Sequence, residues 1–420
     1  MHPARCCFLL LLLSLSACNL ISLDTQLKQA RRELLLVSGE LLAGPDDSPQ
    51  PALVALLDNA DKVAGYRIVA PGEAFYFSVP HGSYQLLAFV DTNGNFVLDA
   101  NEPRHWLPLA RSVALHIQPN AEQLASLRQH NRLRLNNSTS SQTPELDLSL
   151  AKLYREHPRL RHNYLQQVTF NDPRFSAERT QQGIWQPMTF KHEVNYGLYL
   201  LRPWDPALEP VFFVHGINDS PSAWQTLAAS LDPQRHQAVL YHYPSGAPLN
   251  GSAYLLKEAI LDVQLRHAPP RIHVVAHSMG GLVARRSLQM LGNAGPRTCL
   301  LLTLATPWNG HPAAANGVDQ SPVVVPAWRD VAPGSDFLKA LFAHPLPAAI
   351  EQWQLVSYGG NSLLLGQPND GVVPLASQLR NSAQDEASHL YLLNQSHTGI
   401  LHSPRSQALL KRALGQACRP

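Results

Sequence analysis

Apolar and polar positions alternate in two different ways along this chain. From residue 33 to about 118, short strand-like runs (Glu33 to Leu42, Ala52 to Leu57, Ala74 to Val79, Tyr84 to Val90) are separated by Gly, Pro, Asp and Asn. That spacing predicts an antiparallel β-sandwich. Pro80-His81-Gly82-Ser83-Tyr84 reads as a tight turn entering one of its strands. Farther on, Val211 to Val214, Ile272 to Ala276, Trp353 to Tyr358 and Leu390 to Leu393 are apolar runs of buried-strand length. Leu282 to Leu291 has helical apolar spacing and stops at Gly292-Asn293. This second region predicts an α/β fold on a mostly parallel sheet. Between the two lie a polar stretch, Asn136 to Pro144, that cannot bury a core, and a helix expected around Ser149 to Gln167. Trp185 to Phe190 and Gly197 to Arg202 are expected to lead into the first strands of the sheet.

The junction between strand and helix at Ala276-His277-Ser278-Met279-Gly280-Gly281 carries the chemistry. A serine on such a turn has small neighbours and is pushed out at the carboxyl end of its strand, where open α/β sheets place their reactive groups. Serine alone is a weak nucleophile, so a base, an orienting carboxylate and oxyanion donors are required. Asp370 follows the strand ending near Tyr358, and His397, in Ser396-His397-Thr398-Gly399, follows Leu390 to Leu393. Nearby rivals for the histidine are His402 and His389, and for the acid Asp385 and Asp336. The backbone amides of Met279 and of Ile217, in the turn His215-Gly216-Ile217, are the candidate oxyanion donors.

At these points the chain resembles lipases and esterases of the α/β-hydrolase superfamily, with PGAP1-like and bacterial triacylglycerol-lipase-like members the most similar. The resemblance covers roughly Gly197 to Pro420. It rests on Val214-His215-Gly216, the hexamer at Ser278, Leu304-Ala305-Thr306-Pro307, Pro333 to Leu338, Asp370-Gly371-Val372-Val373-Pro374 and Ser396-His397. One departure is Ala276, where most relatives carry glycine. The resemblance implies an acyl-enzyme on Ser278, with His397 as base and Asp370 as its partner, and a substrate that is an acyl ester or lipid. It requires no metal or organic cofactor. A cap is expected at about 308–350, where Val323 to Trp328, Phe337, Leu338, Leu341 and Phe342 would either line an acyl pocket or bury a helix pair on the core. An acyltransferase or thioesterase would use the same triad, and a non-catalytic envelope-binding lipoprotein is the reading from another class.

The amino terminus bears on location. Arg5, the apolar run Phe8 to Leu15 and Leu15-Ser16-Ala17-Cys18 have the layout of an export signal too short to span a membrane as a mature helix. Leu-Ser-Ala-Cys resembles the lipobox of bacterial lipoproteins, which implies acylation of Cys18 and a lipid-anchored protein of the bacterial envelope. Asn19 implies the outer membrane if the host is Gram-negative. The domains expected are therefore a signal peptide at 1–17, a tether at 18–32, an immunoglobulin- or transthyretin-like β-sandwich at 33–118, a linker and helical connector at 119–184 and the catalytic domain at 185–420.

With 33 basic and 31 acidic side chains and no basic run, composition gives no case for a nucleic-acid partner. Of the five cysteines, Cys6 and Cys7 would leave with the signal and Cys18 would carry lipid. Cys299 and Cys418 then either pair in an oxidising compartment or remain a buried and a free thiol. Within the sandwich, Asp91, Asn93, Asn95, Asp99 and Glu102 fall in the order of a calcium loop, but Phe96 occupies the position where that loop needs glycine. Calcium and a hairpin closed by its own side-chain hydrogen bonds are both open readings.

Overall fold

A computed structural model of the chain describes residues 3–42, 50–114, 121–135, 143–150, 152–153, 163–193, 196–292 and 295–418. They form two compact units, Leu27–Arg161 and a second made of Met1–Gln26 with His162–Pro420.

The first unit is built from β1 (Leu34–Leu42), β2 (Ala52–Asp58), β3 (Val63–Val69), β4 (Ala74–Pro80), β5 (Tyr84–Phe89), β6 (Arg104–Leu107), β7 (Ser112–Ala114) and β8 (Arg132–Arg134). One sheet runs β4-β1-β7 with β8 also on β1, and the other runs β3-β2-β5-β6. Inward residues Val37, Phe75 and Phe77 of the first meet Val54, Leu56 and Leu86 of the second in one core, which is the two-layer solution expected of alternating strands. The turn before β5 closes through the Tyr84 hydroxyl, which donates to the Pro80 carbonyl at 2.8 Å.

The expected boundary at 118 is too early. A helix at Ala121–His130 leads to β8, which pairs in parallel with β1. The reason is Asn131, fully buried, whose side-chain amide donates to the carbonyls of Ser38 and Arg111 and accepts from the Arg111 amide. A three-residue strand held by one asparagine leaves no apolar signature in sequence. In the loop after β5, the Asp91 carboxylate accepts from the amides of Gly94, Asn95 and Phe96, and Asn93 and Asn95 donate to Asp99. Glu102 accepts from the amides of Thr92 and Asp99. Phe96 is buried, with φ 62°.

The second unit is an eight-stranded sheet in the order β16-β15-β14-β13-β11-β12-β10-β9. Its strands are β9 (Asn163–Gln167), β10 (Gly197–Leu200), β11 (Glu209–Val214), β12 (His236–His242), β13 (Ile272–His277), β14 (Thr298–Leu304), β15 (Glu351–Ser357) and β16 (His389–Leu393). From β12 through β16 all neighbours are parallel, and β10 is antiparallel to β12. This is the α/β-hydrolase fold. Strands β12, β13 and β14 are buried at every position, as helices on both faces of a parallel sheet require.

Three expectations about the approach to this sheet need correction. Residues 163–167, expected as the end of a helix, are strand β9 beside β10; residues 154–162 of that helix and 136–142 of the polar stretch lie outside the described residues. The sheet therefore begins before 185, and Trp185 to Phe190 is helical, divided between Ala177–Trp185 and Pro187–Glu193. The segment expected as a tether at 18–32 belongs to a helix, Pro3–Glu33. In it Leu23 is buried and the Gln26 side-chain oxygen Oε1 accepts from the Met188 amide at 3.0 Å. Among the described residues, no helix is long and apolar enough to cross a membrane.

The insertion between β14 and β15 contains the helices Pro312–Gln320, Pro326–Val331 and Asp336–Leu341. Val325, Phe337, Leu338 and Leu341 are buried. Phe342 packs edge-on against Trp308 and stacks under the guanidinium groups of Arg285 and Arg380, 4.6 and 4.1 Å from its ring centre. Cys299, on β14, and Cys418 are joined as a disulfide, with Cα atoms 5.3 Å apart.

Candidate active site

Ser278 stands between β13 and the helix Met279–Leu291, with φ 53° and ψ −132°. A non-glycine residue at positive φ costs of order 1–3 kcal/mol and persists only where its surroundings hold it. Here the Ser278 amide donates to the Leu304 carbonyl at 2.8 Å, and small residues let the backbone close in. A Cβ on Gly280 would stand 2.4 Å from the carbonyl oxygens of both Val214 and His215. Ala276, by contrast, is an ordinary buried β13 residue paired with Val214 and Thr303, so its methyl group meets no glycine requirement.

His397 Nε2 is 2.9 Å from Ser278 Oγ, and His397 Nδ1 is 2.7 Å from Asp370 Oδ2. The His397 amide also donates to the Asp370 carbonyl at 2.8 Å, fixing the two loops to each other at both backbone and side chain. Serine, histidine and carboxylate thus form one hydrogen-bonded line, buried at 5, 7 and 1% exposure. His402 instead meets Thr226 Oγ1 at 2.9 Å, and His389 packs on Trp353. Asp336 pairs with Lys339 in solvent, and Asp385 is exposed.

Asp370 is held from every side. Its Oδ1 accepts from the amides of Val372 and Val373, and its Oδ2 also accepts from Ser357 Oγ at 2.5 Å and Gln378 Nε2 at 3.2 Å. Burial pushes the carboxyl up, but the hydrogen bonds and charge of His397, the Ser357 hydroxyl and the Val373 amide outweigh it and hold Asp370 below the usual carboxylate range. It therefore stays ionised and acceptor-only beside the imidazole.

Met279 begins the helix that follows the serine, and the turn carrying Ile217 lies against it, since a Cβ on Gly216 would stand 2.9 Å from the Ser278 Cβ. The turn carrying Ile217 is anchored by Tyr243, whose hydroxyl donates to the His215 carbonyl at 2.8 Å, and by Ser245 Oγ, which accepts from the Asn218 amide.

Several side chains around the site had no assigned role in the sequence. Ser357 and Gln378 reach Asp370 from β15 and from the helix Leu375–Gln378, separations that no local motif spans. His277 is also part of these surroundings. Its Nε2 lies 2.9 Å from the His397 carbonyl, which can only accept, so the proton is on Nε2. Burial pushes this imidazole down to about 3, with neighbouring His397 adding to the shift, so His277 is neutral. Its Nδ1 faces Asp219 Oδ2 at 3.9 Å, and burial lifts the Asp219 carboxyl to about 6.

Residues 211–403 match the model of the alpha/beta hydrolase family. Among solved structures, the chain is similar to a lipase of Bacillus licheniformis in mature form, at 19% identity over 49% of this chain and 93% of that one, with a TM-score of 0.41. Lipase B of Aspergillus fumigatus is similar at 15% identity over 53% of this chain and 56% of that one, with a TM-score of 0.42. A metagenomic carboxyl esterase is similar at 16% identity over 50% and 75%, with a TM-score of 0.38. No curated protein matches the chain.

Proposed function

Starting from an alpha/beta hydrolase family domain at residues 211–403, we infer that the chain is a serine carboxylic-ester hydrolase of the lipase and esterase type, working through an acyl-enzyme on Ser278. The observation that carries this reading is the continuous line Ser278 Oγ, His397 Nε2, His397 Nδ1, Asp370 Oδ2, with contacts of 2.9 and 2.7 Å.

Asp370 accepts from Nδ1–H, so the Nε2 lone pair faces the serine. As Ser278 Oγ bonds to the ester carbonyl carbon, His397 takes its proton, and Asp370 stabilises the imidazolium. The amides of Ile217 and Met279 receive the negative charge on the former carbonyl oxygen, where losing one donor typically costs about 3 kcal/mol. Collapse breaks the bond to the alcohol oxygen, which leaves with the proton from His397. Water then gives a proton to the same nitrogen, attacks the acyl carbon, and releases the acid with Ser278 restored.

An acyl chain suits the surroundings. Tyr358, Leu363 and Val372 are exposed at 41, 87 and 47%, on loops that follow β15 and lead to and flank Asp370. They place apolar surface at the carboxyl edge of the sheet, where the serine emerges. The buried cap residues serve packing, so these loop residues are the better candidates for meeting a lipid or acyl group. Acylation at Cys18, which is exposed, would hold the enzyme in the bacterial envelope through its Leu-Ser-Ala-Cys sequence.

A fluorophosphonate probe should label Ser278 alone in the purified protein, and Ser278→Ala should lose both labelling and ester turnover while melting as a folded protein. Turnover by that variant above background removes the assignment. In an envelope fraction, Cys18→Ser should release the protein from membranes and abolish incorporation of labelled palmitate; retained palmitate would end the lipoprotein reading.

A further inference from the structure

The opposite edge of the hydrolase sheet holds a second cluster of side chains that ester hydrolysis does not use. Ser278 follows the carboxyl end of β13, whereas Glu209, His236 and His273 stand at the beginnings of β11, β12 and β13. The register explains why they meet. Glu209 is directly paired with His236, and β13 lies on the other side of β11, with His273 opposite Val211. One donor atom from each of the three lies within 4.8 Å of the others.

The polar atoms of this cluster are poorly matched to one another. His236 is 4% exposed, and neither of its ring nitrogens has a hydrogen-bond partner in the protein. A neutral imidazole always carries one donor and one acceptor, and each buried group left unpaired costs about 1–3 kcal/mol. His273 is fully buried and also has an unpartnered Nδ1, while its Nε2 is 2.9 Å from Glu209 Oε2. The rings of His236 and His273 stand 5.8 Å apart at 73°, edge to face and not stacked. Arg271 Nε holds the other carboxylate oxygen, Glu209 Oε1, at 3.0 Å. That contact orients the carboxylate and leaves Oε2 facing the histidines, as partners outside a metal's ligand shell commonly do.

We propose that Glu209, His236 and His273 form a structural binding site for a borderline divalent transition metal of the zinc class. Two imidazoles and one carboxylate are a ligand set such a cation accepts, and they disfavour the all-oxygen preferences of calcium and magnesium. At metal–ligand distances of about 2.0–2.2 Å, atoms of a tetrahedral shell stand roughly 3.3 Å apart. The Oε2 and Nε2 atoms, now at 2.9 Å, need to part only slightly, and His236 needs to swing in from a longer distance. The metal would replace the proton between Glu209 and His273 and give His236 the partner it lacks. A fourth ligand is supplied by solvent, because His236 also lines a surface cleft of about 450 Å3 together with Asp232, Arg235 and Lys411. Bound there, the cation would tie together the starts of the three central strands, far along the sheet from Ser278.

The test uses the purified full-length protein after chelation and dialysis. Zinc added back should bind at one equivalent per chain and raise Tm, and cobalt should produce the visible absorption of a tetrahedral nitrogen-and-oxygen site. His236→Ala and Glu209→Gln should lose the absorption and the zinc-dependent part of the Tm, while fluorophosphonate labelling of Ser278 continues at the wild-type rate. Two results overturn the proposal. One is a wild-type protein whose Tm is the same in chelator and in zinc and which stays colourless in cobalt; this needs no variant to fold. The other is undiminished one-equivalent binding in both variants, which would locate the metal elsewhere. Because the readouts are metal content, colour and Tm, they are independent of whether Ser278 turns over an ester.

Discussion

Ser278 holds φ 53° because the residues around it leave it no relaxed alternative, and Asp370 holds its charge because five hydrogen-bond donors surround its two oxygens. The donor from Ser357 gives a prediction at this scale. A carboxyl whose folded pKa is depressed contributes stability that is present above its unfolded pKa and lost as pH falls through the folded value. Asp370 is depressed in this sense, with the Ser357 hydroxyl among the causes. Ser357→Ala should therefore cost about 1.5–3 kcal/mol near neutral pH, the usual range for a hydrogen bond to a charged group. The difference from wild type should shrink as pH falls below the ordinary carboxylate range. Urea melts at a series of pH values check this, and a difference that does not vary with pH would remove Ser357 from the support of the Asp370 charge. His277 acts in the same way on the other member of the pair, since its neutral ring holds the His397 carbonyl.

At the scale of elements, the strand, turn and helix around Ser278 form one unit whose tolerance is set by backbone contacts. The atoms a Gly280 side chain would meet, at 2.4 Å, are main-chain oxygens of β11 and its following turn, which no rotamer change can move. Gly280→Ala should displace the helix start and with it the Met279 amide and the turn carrying Ile217. Turnover should fall by a factor of 100 or more, since about 3 kcal/mol follows from losing one oxyanion donor. Far-ultraviolet circular dichroism should show the helices retained; near-normal turnover would mean the turn relaxes without disturbing the donors. The cap illustrates a different limit. Its apolar run fits both an acyl pocket and a packed helix pair, and burial of Val325, Phe337, Leu338 and Leu341 favours packing.

Across the whole chain, the Cys299–Cys418 disulfide closes a separation of 119 residues, joining a core strand to the end of the last helix, Pro404–Gln416. Cross-links of this kind typically add 2–4 kcal/mol. Cys418→Ser should lower stability by about that amount, with fluorophosphonate labelling at Ser278 unchanged at moderate temperature, and reducing agent should destabilise the wild type but not the variant; equal melting of the two proteins under oxidising conditions would remove the cross-link from the account. The sequence by itself determined an α/β fold through the apolar runs of its strands, and pointed to the hydrolase fold through the ordered motif blocks that resemble lipases and esterases of that superfamily. It singled out Ser278, and the hydrolase-like order of its motifs put forward Asp370 and His397, with Asp385, Asp336, His402 and His389 as rivals that only the contacts in the fold set aside. Short strands and distant partners were decided by tertiary structure alone. Strand β8 exists because buried Asn131 bonds across to β1, and β9 because an edge position beside β10 was open to it. Ser357, Gln378, His277 and Asp219 became neighbours of the triad, and Glu209, His236 and His273 neighbours of one another, only through strand order and register. Periodicity reports which face of an element is buried, whereas contacts between residues far apart in sequence depend on how the elements are stacked, which no local pattern encodes.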